Sequence, residues 1–323
     1  MTRRAAWIFF ALAAMLFGPA ANAQDVRKLV TIATPERVRS LSVCGASGLA
    51  AGLSGDGSIY IWRLPSGELA AKWNAAGRVS SLACSFDGKR VAIGKRDGSV
   101  EITDSAGRSA RTLLSGALGR ATIDGLAFSR DGSLLAVSPH EEAGQLWNPG
   151  TGKLVARLQT DFSGLTSVDF APDSSLLATA NADTTVKIYE RDGKLKAKYL
   201  GLLLEPFAIS FLPGRKELVI GGADCMITLL DSDGKVIKQF PRHPDPIFQI
   251  AALPDRQSVL SLHIDSAKLE KFTLVMWNLQ TGARRNLAID GEKLVGYGET
   301  SRHQPMLFTA DTDSSLTAWE ISD

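Results

Sequence analysis

The stretch VDFAPDSSLLATANADTTVKIYERDG, residues 168–193, decides the fold. Val168 and Phe170 alternate with polar neighbours, the period-two mark of a strand with one buried face. Pro172-Asp173-Ser174 then turns the chain, Asp being able to hydrogen-bond its own turn backbone. Leu177-Ala178-Thr179-Ala180 is small and apolar, as expected of a strand covered on both faces. Asp183 stands six residues ahead of Tyr189, which closes a third strand, and Arg191-Asp192-Gly193 turns toward a fourth. Nothing in the stretch reads as helix.

The same unit recurs in both directions. The position of Tyr189 is taken by Trp62, Thr103, Trp147, Leu230, Trp277 and Trp319, with successive steps of 41, 44, 42, 41, 47 and 42 residues along the seven sites. A period of roughly 40–45 residues is that of a four-stranded propeller blade. Alternating pairs open the units (Leu82 and Cys84, Leu126 and Phe128, Ile209 and Phe211), and second strands such as Val91-Ala92-Ile93-Gly94 follow. The sequence therefore predicts an all-β chain folded as one seven-bladed β-propeller of four-stranded antiparallel blades. The blades fall at about 37–76, 77–119, 120–163, 164–204, 205–244, 245–290 and 291–323. The last unit stops at Trp319-Glu320-Ile321-Ser322-Asp323, without a fourth strand, whereas Lys28-Leu29-Val30-Thr31-Ile32 is a strand without a blade. Segment 27–34 is expected to complete the seventh blade and remove an exposed sheet edge.

Six residues before the repeated position stand Asp56, Asp97, Glu141, Asp183, Asp224, Lys271 and Asp313. An acid in six of seven units points to a structural carboxylate that accepts turn N–H groups and holds the register of two strands. A shared metal is excluded, because equivalent positions around a wheel do not converge.

This order of strands and turns, with the turn Asp and Trp62, Trp147, Trp277 and Trp319, resembles the WD-repeat β-propeller family over about residues 25–323. The chain departs from the family pattern in two ways. Arg63, Asn148, Asn278 and Glu320 follow the four tryptophans, so no Trp-Asp pair occurs. The Gly-His pair ahead of the first strand is missing, and only His243 sits where that His would fall. The family's Asp-His-Ser/Thr-Trp network is thus incomplete in most blades, which implies greater reliance on apolar packing. Family precedent also implies closure by the N-terminal strand.

Residues 1–23 read as a cleaved signal peptide. Arg3 and Arg4 form a basic start, Ala5 to Phe17 is apolar, and Ala21-Asn22-Ala23 is a small-x-small cleavage site. The apolar run falls short of the ~20 residues of a spanning helix. A mature chain from Gln24 is expected to be periplasmic or secreted, without a membrane span. It carries 34 basic and 34 acidic residues once the two leader arginines are removed from the 36. Such balance argues against nucleic acid and anionic membrane as partners. Three cysteines, Cys44, Cys84 and Cys225, leave at least one thiol outside any internal pair. Cys44 lies one residue out of phase with Cys84, compatible with a bridge between facing blades; the alternative is three small core residues.

No catalytic motif survives inspection. Gly52-Leu53-Ser54-Gly55-Asp56 lacks the last Gly of a nucleophile elbow and precedes no helix. Gly296-Tyr297-Gly298 lacks a strand-helix context, and Asp231-Ser232-Asp233-Gly234 lacks a calcium loop's remaining ligands. His140, His243, His263 and His303 show no metal-binding spacing. The starts of the innermost strands place Arg39, Ser80, Asp124, Thr166, Phe207 and Phe248 around one channel mouth, the seventh member being Val295 or Gly296. One carboxylate without a His there builds neither a metal centre nor a hydrolytic pair. Arg and aromatics are instead the residues of binding hot spots.

The loop Tyr199 to Pro206, containing Leu203, is either an exposed apolar patch or a buried brace between blades. Insertions at His263 to Phe272 and His140-Glu141-Glu142 add to the same face. The expectation is a non-enzymatic, cofactor-free and monomeric platform of the bacterial envelope. It would bind another envelope protein through Arg39, Asp124, Thr166, Leu203, Phe207 and Phe248. The alternative is an enzyme or small-ligand binder with its site at Arg39, Asp124 and His243.

Overall fold

The computed structural model describes residues 26–114, 121–140, 142–159, 164–253, 255, 257–264, 272–287, 293–299, 305–310 and 315–321. These residues form seven four-stranded antiparallel sheets. Six are simple meanders covering 38–74, 79–114, 123–157, 165–199, 206–239 and 247–287. The only helical piece among the described residues is the 3-10 turn Gly45–Ser47. No described helix is long and apolar enough to cross a membrane.

The seventh sheet takes Lys293–Glu299, Pro305–Ala310 and Ser315–Ile321 from one end of the chain and Val26–Ala33 from the other. Val26 pairs with Ile321 and Ala33 with Ser315, and Arg27 closes an ion pair of 2.5 Å with Glu320. Ile32 is buried beside Phe308, Leu316, Tyr60 and Trp62, so the completing strand contributes core as well as ladder.

Seven apolar clusters close the wheel. Each joins two neighbouring sheets, and none lies within a single sheet. Cys44, Ile59 and Ile61 of the first sheet meet Leu82, Val91 and Ile93 of the second, for example, and Leu212 and Phe240 of the fifth meet Val259 and Trp277 of the sixth. The others join second to third, third to fourth, fourth to fifth, sixth to seventh, and seventh to first. This explains the small apolar second strands: Leu176–Asn181 is buried at every position because a neighbouring blade covers each face. All seven repeated Trp-like positions, Trp62, Thr103, Trp147, Tyr189, Leu230, Trp277 and Trp319, are buried in third strands.

Cys44 and Cys84 form a disulfide between the first and second inner strands, with Cα atoms 5.2 Å apart, and Cys225 is the free thiol. The one-residue phase offset turns the two sulfurs toward each other.

Inner strands of adjacent blades share no ladder, so their channel-side N–H groups need other acceptors. Side chains of the preceding blade supply them. Ser42 Oγ accepts from Cys84 N–H (3.0 Å), Asp169 Oδ2 from Phe211 N–H (2.8 Å) and Ser210 Oγ from Ala252 N–H (3.4 Å). Desolvation pushes the Asp169 carboxyl up to about 6, although N–H groups of Phe211 and Phe170 and the charge of Arg130 pull the other way.

Candidate functional site

Every innermost strand begins with a β-bulge. The register slips between Val38 and Ser40, Val79 and Ser81, Ile123 and Gly125, Leu165 and Ser167, Pro206 and Ala208, Ile247 and Gln249, and Leu294 and Gly296. The extra residues are Arg39, Ser80, Asp124, Thr166, Phe207, Phe248 and Val295. A bulge re-aims its side chain out of the ladder, which is how Arg39, Ser80, Asp124, Thr166, Phe207 and Phe248 come to the channel mouth. In the seventh blade the register slip falls at Val295.

The ring divides by chemistry. Thr166 donates to Pro206 O (2.5 Å) and Ser80 to Ile123 O (2.7 Å), each joining its strand to the next blade. Phe207 and Phe248 stack, ring centroids 5.2 Å apart and planes inclined by 18°. The loop leading to Phe207 splits between the two roles considered for it. Leu202 is buried between the fourth and fifth blades, while Leu203 and Leu204 are 73% and 50% exposed. Phe207 and Phe248 thus give the mouth an apolar sector over the fifth and sixth blades, and the exposed Leu203 and Leu204 stand in the loop that leads into it.

The opposite sector is polar. Arg39 donates to Gly55 O, and Asp124 Oδ2 lies 2.6 Å from His140 Nδ1. A cavity of about 330 Å³ is lined by Arg39, Ser80, Arg96, Asp124 and His140, among others. A second, also about 330 Å³, is lined by Arg39, Asp56, Arg78 and Arg96. Arg78 and Arg96 did not emerge from sequence reasoning. Their signal was positional: Arg78 directly precedes an inner strand and Arg96 opens a second-to-third-strand turn, which puts both at the mouth.

The histidine that meets Asp124 is therefore His140. His243 packs against His263 on the far side, with ring centroids 3.6 Å apart, and does not share a site with Arg39 and Asp124. In that blade Trp277 Nε1–H donates to Ser261 Oγ (2.7 Å), which lies 2.7 Å from His263 Nε2, while His263 Nδ1 faces Asp245 O at 3.0 Å. The histidine linked to the tryptophan thus comes from the second strand. Desolvation, with the adjacent His243 ring and Arg284, depresses His263 to about 4; burial also lowers His243. Both rings are neutral at pH 7.

The turn acids face inward to their own turns. Asp56 accepts Ser58 N–H (2.9 Å) and Ser58 Oγ (2.9 Å), Asp97 the N–H (3.0 Å) and Oγ (2.6 Å) of Ser99, Asp183 the N–H (3.0 Å) and Oγ1 (2.5 Å) of Thr185, and Asp224 the N–H of Met226 (3.1 Å). The Ser54 hydroxyl and these Ser58 bonds hold Asp56 down at about 2, whereas desolvation raises Asp224. Glu141 and Asp313, residues 1–23, whose sequence reads as a signal peptide, and insertion residues 265–271 lie outside the described residues. Among the described residues no group of three or more His, Cys, Asp and Glu is placed to hold a metal ion.

Comparison with known proteins agrees with this architecture. Residues 152–190 match the model of the WD domain, G-beta repeat. The match runs from the outer strand of the third blade, Lys153–Arg157, through the third strand of the fourth, Val186–Glu190, so the sequence repeat is staggered against the blade. The chain is similar to WD repeat-containing protein SL1-17 of Schistosoma mansoni, at 30% identity over 49% of this chain and 52% of that protein. It is also similar to COMPASS component SWD3 of Saccharomyces cerevisiae (29%, over 35% of each). A third relative is the U4/U6 small nuclear ribonucleoprotein PRP4-like protein of Arabidopsis thaliana (36%, over 24% of this chain and 14% of that protein). The chain spans about half or less of the length of these relatives. Together the matches support a WD-repeat protein.

Proposed function

We infer that the protein is a non-enzymatic platform that docks another protein across this channel mouth, and that it works in the bacterial envelope as a periplasmic or secreted protein. The observation carrying the docking reading is the apolar sector of Phe207 and Phe248 with Leu203 and Leu204 in the loop that leads into it, three of the four being side chains of at least one-third exposure at a site ringed by polar groups. Exposed apolar surface with a polar rim is the usual mark of a protein contact. Similarity to WD-repeat proteins, one of them named as a component of an assembly, supports the same reading. Export is supported by the leader at 1–23 and by the Cys44–Cys84 bridge, which persists in oxidising compartments.

The test is affinity capture from envelope extract with the wild type and with a Phe207→Ala, Phe248→Ala double variant. A partner retained by the wild type and lost by the variant is the expected result. Equal capture by both would remove the apolar sector from the interface.

One observation favours a second reading, that of a small-ligand or hydrolytic site. The Asp124–His140 pair, 2.6 Å apart, lies beside Arg39 and Arg96 in a single cavity. An Asp-oriented His is a common general base. Turnover of ester or phosphoester substrates that disappears in His140→Ala would establish it.

A further inference from the structure

We propose that the polar sector of the mouth seats an acidic stretch of the partner polypeptide, held by Arg39, Arg78 and Arg96. The proposal rests on the docking reading above and adds the chemistry of what docks. All three arginines are exposed. Arg39 comes from the first inner strand, whereas Arg78 and Arg96 belong to the second blade, so two blades converge on one place. The two adjoining cavities share Arg39, Val79 and Arg96, forming a continuous lining in which a guanidinium recurs.

Charge balance gives the sign of the ligand. In the cavity that contains all three arginines, Asp56 is the one acidic residue among the described lining residues, and its carboxylate accepts from the Ser54 and Ser58 hydroxyls and the Ser58 N–H. In the other cavity, Asp124 is engaged by His140. Three guanidiniums against one ionised carboxylate leave the described lining of the first cavity net positive. Planar guanidiniums pair with carboxylates through two parallel hydrogen bonds, the contact an Asp- or Glu-rich segment offers repeatedly. The apolar sector lies across the same mouth, so a segment with acidic residues at one end and apolar anchors at the other matches both halves. A nucleic acid matches less well, because residues 24–323 carry as many acidic as basic residues and phosphate binding draws on a net basic surface.

The experiment is a fluorescence-anisotropy titration of the full mature protein with a fluorescein-labelled oligoglutamate, against a Gly-Ser peptide of the same length. The variants are Arg78→Ala with Arg96→Ala, and the charge reversal Arg78→Glu with Arg96→Glu. The wild type is expected to bind oligoglutamate and not the Gly-Ser peptide, and to lose affinity as salt rises from about 50 to about 300 mM, where surface charges are screened within a few ångströms. The alanine pair should lose about tenfold, as expected for two charge-assisted contacts, and the reversal should abolish binding. Both side chains are exposed, so an unchanged melting temperature certifies the fold of each variant.

Equal affinity of wild type and variants for oligoglutamate overturns the proposal, as does absence of binding to the folded wild type. Tighter binding of a single-stranded oligonucleotide, lost in the same variants, reassigns the groove and overturns it too. Partner capture separates the two readings. Should the arginine variants keep a partner that the phenylalanine double variant loses, the acidic-segment proposal fails while the docking reading stands. Should neither variant lose it, the docking reading fails and the oligoglutamate titration alone judges the groove.

Discussion

Removing the Cys44–Cys84 bridge tests how the first two blades are held together. The two residues are separated by 40 positions, and each sulfur is buried in the cluster between the blades. Closing a loop of that length in the denatured chain removes entropy equivalent to about 4 kcal/mol at 25 °C. A chain of this size unfolds with an entropy of about 0.6 kcal/mol/K, so the loss should lower the melting temperature by roughly 7 °C. Calorimetry of residues 24–323 with and without dithiothreitol, beside Cys44→Ala with Cys84→Ala and Cys225→Ala, measures it. Reduction should lower the melting temperature of the wild type and of Cys225→Ala, and leave the double variant unchanged. Thiol titration in denaturant without reductant should find one free thiol per chain, that of Cys225. Three titrating thiols, or a melting temperature indifferent to reduction, would refute the reasoning.

Three further outcomes follow from the same structure. Ile32→Ala should cost about 2–4 kcal/mol, because it empties space among Phe308, Leu316, Tyr60 and Trp62. Deleting residues 24–35 should lower the melting temperature further and give oligomers through the bared edge of Ser315–Ile321, whereas an unchanged monomer on size-exclusion chromatography would contradict closure by Val26–Ala33. Acid response should hinge on two desolvated groups of opposite sign, His263 and Asp169. The unfolded chain protonates His263 near 6.5 and the native chain only near 4, so this ring makes stability fall as pH drops between those values, by up to about 3 kcal/mol. Asp169, at about 6 in the native state against 3.8, takes up its proton first when folded and so adds stability as pH drops over that range. The two slopes oppose each other. Asp169→Asn should therefore lose more stability between pH 7 and pH 5 than the wild type does, and equal slopes in urea melts would reject this pairing.

Local signals carried most of the architecture. Strand alternation, turn residues and the spacing of Trp62, Trp147, Trp277 and Trp319 repeat within each unit, and each unit's strands pair with their sequence neighbours. The bulge recurs at Arg39, Asp124, Thr166, Phe207 and Phe248, one place in each of these inner strands, because each unit repeats the same local pattern. The histidines were harder to place. His243 occupies the expected position in sequence, yet His263, two residues beyond Ser261 on the same strand, is the ring that reaches the Trp277 partner. Alternation puts Ser261 and His263 on one face, but which ring approaches that hydroxyl depends on how the loop from the fifth blade packs.

The sequence by itself determined the number of blades and their strand order, since period and turn chemistry are written along one dimension. Only the tertiary structure decided that Cys44 bonds Cys84, that His140 meets Asp124, that Leu202 is buried while Leu203 is exposed, and that Arg78 and Arg96 share a groove with Arg39. Each of these depends on how adjacent sheets are rotated about the channel. That rotation is set by the summed packing of side chains between blades, a quantity that no single repeat contains.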